Sequence, residues 1–506
     1  MNASVADPNI DPAVGPTADS ATGPNSRPDA LPATDPGAPQ SPPPQHPLGF
    51  LARAALWTLA SVVIGLVCGG GAVLLSLACE VAADAGAAFP PLLLCLPIFV
   101  VITCWIYRVL GVSHDISTAS VFARQRDDGP LPTQLAPAIL AGTALSVLGG
   151  GSVGKEAAAL QLGGALASGL SSVFSGRSKA CEKSGNAARR GSRQLRRAFE
   201  EFRGARDVFI LAGMAAAFAS LMFAPVAATL LVLEVARPAR GRLLRGRMLC
   251  VPASAAVSFA FASLCNVERL WHPGDLALTS LTLDTLTGAD GGATATFMTP
   301  TIFIGLCTCV GIAFVWLVKR TRTVTGAAMP NDWVRPIAGA LVAVVLNIAT
   351  GGLCAGTGAS LIKAALAGEA LPVETFALKV LITCACLGFG VKGGEVMPAL
   401  AIGASLGCAF GQVAGVDTAL YAALGMVAVF SACSLCPLAS LALAFEAFGL
   451  TAAAPLFALA ALVPGAVALA VDVARLCSSR DDVRTYLVNP SILAQGERHS
   501  NGLFVR

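Results

Sequence analysis

The sequence predicts an all-α, polytopic integral membrane protein, several of whose helices are short or re-entrant. Three observations predict it. Of 506 residues, 55% are hydrophobic and 13% charged, whereas a soluble domain carries roughly 25% charged residues. So little polar material cannot solvate a surface, and the mean hydropathy of +0.71 agrees. Apolar runs at 56–77, 90–105, 248–264, 297–318, 337–348 and 453–473 each suffice to cross or deeply enter a bilayer, which takes about 20 residues per span. The remaining apolar stretches are shorter and broken by Gly or Pro. Such pieces suit half-helices, tolerated in a membrane only where protein or a water-filled cavity covers them.

Residues 1–47 are Pro, Ala, Asp and Ser with almost no large apolar side chain. They cannot bury enough surface to fold and predict a disordered tail. The tail lacks the basic-then-apolar pattern of a secretory signal. A membrane domain follows over 48–476, with halves at about 48–265 and 295–476, and a polar tail over 477–506 ends the chain. The net charge of +4 matters less than its placement. A connector within 174–206 holds Lys179, Lys183, Arg189, Arg190, Arg193, Arg196 and Arg197, and a second basic cluster lies at 237–247. Loops rich in Lys and Arg stay in the cytoplasm, so both are expected there, as are the two tails, in a multi-pass protein of the cell membrane. The segment 265–292 holds Asp and no Lys, which fits the opposite face. Nucleic acid is not an expected partner of the basic loops.

The cysteines read as small hydrophobes, because most lie in apolar segments (Cys68, Cys79, Cys95, Cys307, Cys309, Cys384, Cys386). The single Cys-x-x-Cys, Cys433 with Cys436, has no second pair, so neither a metal site nor a cofactor is expected. Four histidines, His46, His114, His272 and His499, supply no nucleophile–base or metal constellation, which argues against an intramembrane enzyme. Gly149-x4-Gly154-Lys155 approaches a phosphate-binding loop. Glu156 stands where Ser or Thr would hold magnesium, and no strand pattern precedes it, so that reading is rejected.

The two halves share punctuation. A Gly-rich break precedes a glutamate and an apolar helix at 149–156 and again at 388–395. Each half then has an Ala-Pro or Cys-Pro step and an apolar run ending in glutamate, at 224–234 and 436–446. Paired broken helices at corresponding places in two halves point to a transport site near the midplane. Four carboxylates therefore lie in or beside apolar helices: Glu156, Glu234, Glu395 and Glu446. A charge at mid-bilayer costs about 2.5–3.5 kcal/mol, so each is expected to be paired, neutralised or functional. Glu156 and Glu395 follow glycine breaks, where a helix start offers free N–H groups and a positive dipole end. A carboxylate there stands in for a bound anion, and an anion can displace it. Glu234 and Glu446 sit near helix ends, the former beside Arg237, and read first as capping or paired acids.

These residues resemble the CLC family of chloride channels and anion/proton antiporters. Gly-Ser-Val-Gly-Lys-Glu at 151–156, with Gln161 and the glycines after it, resembles the family's Gly-Arg/Lys-Glu-Gly-Pro segment. Met-Phe-Ala-Pro-Val-Ala at 222–227 answers its Phe-Asn-Ala-Pro-Leu-Ala step. Gly388 through Pro398 resembles the second filter segment, and 437–449 the matching late helix. The order agrees from about residue 50 to 475. The resemblance implies tilted and re-entrant helices in an inverted two-fold repeat, a homodimer with a pathway in each subunit, and halide anions and protons as passengers across the lipid bilayer.

Carried over by position, the resemblance makes Glu156 the external gating glutamate. Gly154 and Lys155, and Gly394, Val396 and Met397, would bring helix-start amides to the anion path. Gly-Gly-Glu-Val at 393–396 looks more like the fluoride/proton antiporter branch than the chloride form, and Glu395 would be a second proton-handling group unless it pairs with Lys392. Val235 takes the place of the internal proton-transfer glutamate. The first filter segment, from Ser113 to Thr118, lacks the chloride pattern; Ser113, Ser117 and Thr118 are candidate substitutes, and Asp115 is a candidate helix cap. Tyr421 and Tyr486 fall away from the expected late tyrosine. The implied function is anion transport, of chloride or fluoride, by proton antiport; the alternative is a passive voltage- or proton-gated chloride channel. A cation or organic-solute transporter would not set carboxylates behind anion-attracting helix starts.

Overall fold

In the computed structural model the described residues are 47–113, 116–126, 129–183, 202, 204–236, 246–265, 267, 293–449 and 453–478. Most of both basic segments, residues 266 and 268–292 of the link, His114, Asp115 and the bulk of both tails lie outside them. The described residues form sixteen α-helices with two short 3-10 turns. The first half holds α1 (Pro47–Ala88), α2 (Leu96–Val109), α3 (Thr118–Arg126), α4 (Leu135–Leu148), α5 (Glu156–Lys183), α6 (Arg206–Met222), α7 (Pro225–Ala236) and α8 (Cys250–Leu264). The second holds α9 (Ala293–Ala328), α10 (Val334–Ala349), α11 (Ala359–Leu366), α12 (Thr375–Phe389), α13 (Val396–Ala414), α14 (Thr418–Ser434), α15 (Pro437–Phe448) and α16 (Ala454–Ser478).

Seven of these helices are long and apolar enough to cross a membrane. With 42 residues, α1 is about 60 Å long at 1.5 Å per residue. That is twice the hydrocarbon thickness, so it must lie tilted or extend beyond it. At the other extreme α7 and α15 have 12 residues each, about 18 Å, too short to span alone. Leu59, Leu74, Ile98, Trp105 and Ile302 stand exposed on the long helical spans, the pattern of a lipid-facing surface.

The centre is built twice. In α6 every side chain from Val208 to Met222 is buried, and in α14 every one from Leu420 to Ser434; a helix apolar all round has to be interior. Each packs backbone against backbone on its neighbour. A Cβ on Gly163 of α5 would sit 2.2 Å from the Gly213 carbonyl oxygen of α6, and one on Gly403 of α13 would sit 2.2 Å from that of Gly425 in α14. Small residues permit this approach, the means by which helices associate where lipid removes the hydrophobic drive. Serines tie the next layer on: Ser254 and Ser258 of α8 donate to Ala212 and Ala216 carbonyls at 3.1 and 2.6 Å, and Ser431 of α14 donates to the Ala461 carbonyl of α16.

The repeat is inverted. Glu234, near the end of α7, accepts from Leu438 and Ala439 N–H at the start of α15, at 3.1 and 2.8 Å. Glu446, near the end of α15, accepts from Val226 and Ala227 N–H at the start of α7, at 2.9 and 2.8 Å. Each helix's last turn thus lies at the other's first, so the two run antiparallel. Both enter through the same corner: Phe223 (φ 51°) and Leu435 (φ 58°) hold left-handed backbone before their Ala-Pro and Cys-Pro steps, at about 1–2 kcal/mol for a non-glycine residue. The capping reading of these two glutamates is the observed one.

Candidate anion site

The two Gly-rich breaks bring their helix starts face to face. Gly154 N–H donates to the Gly394 carbonyl at 2.6 Å, and Gly394 N–H returns the bond to Gly154 at 2.7 Å. From this clasp α5 departs at Glu156 and α13 at Val396, so both positive dipole ends converge on one place. The breaks require glycine for space as well as for backbone: a Cβ on Gly394 would sit 2.6 Å from the Ala157 Cβ. The first loop is further held by Asn347 Nδ2 and Gly356 N–H, which both donate to the Gly150 carbonyl at 3.1 Å, and by a 2.7 Å hydrogen bond between Ser152 and Thr383 hydroxyls.

Glu156 is fully buried, and neither carboxylate oxygen has a hydrogen-bond partner. The peptide N–H groups of Glu156, Met397 and Lys155 act on it without closing a bond. A Cβ on Gly154 would lie 2.6 Å from Glu156 Oε2 and 3.1 Å from the Met397 nitrogen. The carboxylate and an α13 amide therefore border one small space, and Val396 and Met397 are buried around it. Desolvating an acid with so little compensation is costly.

The other sequence-derived candidates divide. Lys155 brings its peptide group to the site, and its ammonium, whose field reaches Glu156, lies 2.9 Å from Glu80 Oε1 and 2.6 Å from Ser76 Oγ on α1. Thr118, buried at the start of α3, accepts from Gln161 Nε2 of α5 at 3.0 Å, which joins the first filter segment to the Glu156 helix. Ser117 instead closes the start of α3, its hydroxyl accepting from Ser120 N–H at 3.3 Å. Ser113 is exposed in the preceding loop. Glu395, at the N-cap of α13, is buried with Oε1 lacking a hydrogen-bond partner. Its charge is met by Arg322 of α9, while the Lys392 ammonium sits 4.8 Å over the Tyr107 ring. Val235 is buried and its neighbour Glu234 is committed to α15. Tyr421 stacks on Phe410 at 5.3 Å and against Phe303 at 5.1 Å, in the core.

One buried charge has no counterpart among those candidates. Lys379 of α12 is fully buried and donates to the carbonyls of Cys354 and Gly356 at 3.0 and 2.8 Å. The rule that singled out the four carboxylates, a charge within an apolar helix, also finds it. Among the described residues no group of three or more His, Cys, Asp and Glu side chains could hold a metal ion. The thiols of Cys433 and Cys436 turn to the carbonyls of Gly311 and Ser434.

Residues 98–469 match the family model described as voltage gated chloride channel. The chain is 28% identical over 424 residues to the chloride/fluoride channel protein of Pseudomonas syringae pv. tomato, covering 82% of this chain and 84% of that one. It is 28% identical over 265 residues to the H(+)/Cl(-) exchange transporter ClcA of Yersinia pestis bv. Antiqua, over 48% of this chain and 51% of that protein. Among solved structures, a CLC-type fluoride/proton antiporter superposes with a TM-score of 0.67 at 25% identity, covering 82% of this chain and 95% of that one. A slow cyanobacterial Cl-/H+ antiporter shares the fold, with a TM-score of 0.60 at 17% identity over 84% and 95% of the two chains. With those helix starts clasped around a buried glutamate and a family match over most of its length, this multi-pass membrane protein belongs to the voltage gated chloride channel (CLC) family.

Proposed function

We propose that the chain exchanges halide anions for protons, with residues 48–476 as the transporting unit and Glu156 as the gate. One observation carries this reading: a fully buried carboxylate, with no hydrogen-bond partner on either oxygen, borders the Met397 amide where two helix starts meet. Ionised, Glu156 occupies the anion path as a tethered ligand. Protonated, it loses its attraction to the amides and leaves the space to a halide. Peptide dipoles hold the ion without a full positive charge, so it can also leave. Each swing of Glu156 that carries a proton couples the two fluxes. Glu395, in the field of Arg322, serves as the second proton-handling group in place of Val235.

Fluoride is the favoured passenger. Gly-Gly-Glu-Val at 393–396 resembles the fluoride/proton antiporter branch. A relative and a similar structure are both described by fluoride. The relatives named here are channels and transporters, and the mechanism needs no bond-making chemistry. The assembly is a homodimer in the cell membrane with both tails cytoplasmic. Val226 and Leu438 are more than half exposed directly beside the Glu446 and Glu234 carboxylate–amide bonds, a polar feature that a second copy would shield from lipid better than lipid itself.

The test is halide efflux from liposomes, read by fluoride and chloride electrodes in parallel with proton uptake. Fluoride efflux that drives proton uptake is expected without sodium or ATP, and E156Q should abolish the proton movement. Proton-free efflux from the native chain would make it a passive channel. A sodium or sugar passenger, or no halide flux under any pH gradient, would overturn the reading.

A further inference from the structure

The ion pair beside Glu156 leads to an inference that rests on the reading of Glu156 as the gate. Lys155 Nζ, Glu80 Oε1 and Ser76 Oγ close a triangle: 2.9 Å from ammonium to carboxylate, 2.6 Å from ammonium to hydroxyl, and 2.7 Å from hydroxyl to carboxylate. Ser76 and Glu80 stand one turn apart on α1, so that helix presents two oxygens to one ammonium. The groups are partly shielded, at 17% exposure for the Lys155 side chain and 30% for Glu80.

Lys155 is adjacent to Glu156 in the chain, and its charge acts on the Glu156 carboxylate. An unpaired ammonium here would be the full positive charge that the anion path otherwise lacks. It would bind the ionised Glu156, and a halide in its place, too firmly for turnover. We propose that Glu80 is a positioning residue of the transport cycle, holding the Lys155 ammonium against α1 and offsetting its charge, so that peptide dipoles and Glu156 dominate the anion path.

The surrounding charges leave Glu80 this role. From α1, Cys79 lies in the field of Lys155, Glu156 and Glu80. From α13, Glu395 faces Arg322 of α9. Helix α4 has no ionisable side chain. No other carboxylate is paired with Lys155 among the described ion pairs.

The experiment uses the full chain in liposomes, with fluoride and chloride electrodes and proton uptake, for the native protein, E80Q, K155M, E80Q/K155M and E156Q. With E80Q, half-saturating halide and turnover should both fall about tenfold, and the pH of half-maximal transport should move about one unit lower, as a newly unpaired cation nearby would cause. E80Q/K155M, which lacks the stray charge, should return to within about threefold of K155M on all three readouts. Native-like saturation, turnover and pH profile in E80Q would overturn the proposal. So would a double variant no better than E80Q, because the defect would then be a lost anchor for α5 and not a released charge. E156Q separates the two layers: intact proton coupling there sinks the gate, whereas lost coupling with a silent E80Q sinks only the role of Glu80.

Discussion

Gly154 and Gly394 exchange two backbone hydrogen bonds, at 2.6 and 2.7 Å, from opposite halves of the chain. This short clasp joins two helix starts that belong to different repeats, and it fixes the distance between the Glu156 carboxylate and the Met397 amide.

Substituting Gly154 should therefore damage transport more than folding. In G154A the new methyl would fall 2.6 Å from Glu156 Oε2 and 3.0 Å from the Met397 Cβ, and the carboxylate is what can move. Halide turnover is expected to fall about tenfold or more, since a displacement of about 1 Å at a working site costs that much. Monodisperse protein of native melting temperature with slowed efflux would meet this expectation; unchanged efflux would refute it.

The pH dependence has a definite sign. In the proposed gating a protonated Glu156 yields the path and an ionised one competes for it, so halide flux at a fixed anion gradient should rise as pH falls. E156Q, which resembles the protonated form in charge and shape, should flatten that profile. A profile of unchanged steepness in E156Q, read by electrode over the acid range, would show that another group sets it.

Glu234 and Glu446 should matter to stability and not to passage. Each accepts two helix-start N–H groups, and loss of such a cap costs roughly 1–2 kcal/mol. E234A and E446A should each lower the melting temperature in detergent and leave the ratio of protons to halide unchanged. The two caps share no atoms, so the double variant should lose about the sum.

Lys379 offers a sharper stability test. K379M keeps the length of the side chain but leaves the Cys354 and Gly356 carbonyls without their ammonium. Stranding buried polar groups costs about 1–3 kcal/mol. A clear fall in melting temperature is expected, and K379R should not repair it, because a planar fork cannot reproduce a compact ammonium between two carbonyls.

Much of this was legible in the chain because the membrane simplifies the physics. Apolar runs at 56–77, 248–264 and 297–318 became helices α1, α8 and α9, since lipid leaves backbone groups no other partner. Glycine breaks at 149–156 and 388–395 marked where the two helix starts meet. What stayed hidden was long-range pairing. Nothing local to Lys155 announces Glu80 on α1, and nothing in the α12 sequence tells that Lys379 will be received by carbonyls instead of a carboxylate. Lys392 is three residues from Glu395 in sequence, yet a cation whose field acts on that carboxylate, Arg322, comes from α9. Three-dimensional neighbours of that kind leave no periodic trace. The first filter was the least legible part: of Ser113, Ser117 and Thr118, Thr118 alone is tied to the Glu156 helix, and that tie depends on Gln161.

The mutual capping of α7 and α15 has a bearing on ancestry. Neither half can satisfy the ends of its own short helix, since the acid that does so is carried by the other. A polypeptide of half this length would have been left with bare N–H groups in lipid unless it met a twin inserted upside down. Fusion of two such pieces into one chain would then have made permanent an encounter that chemistry already required.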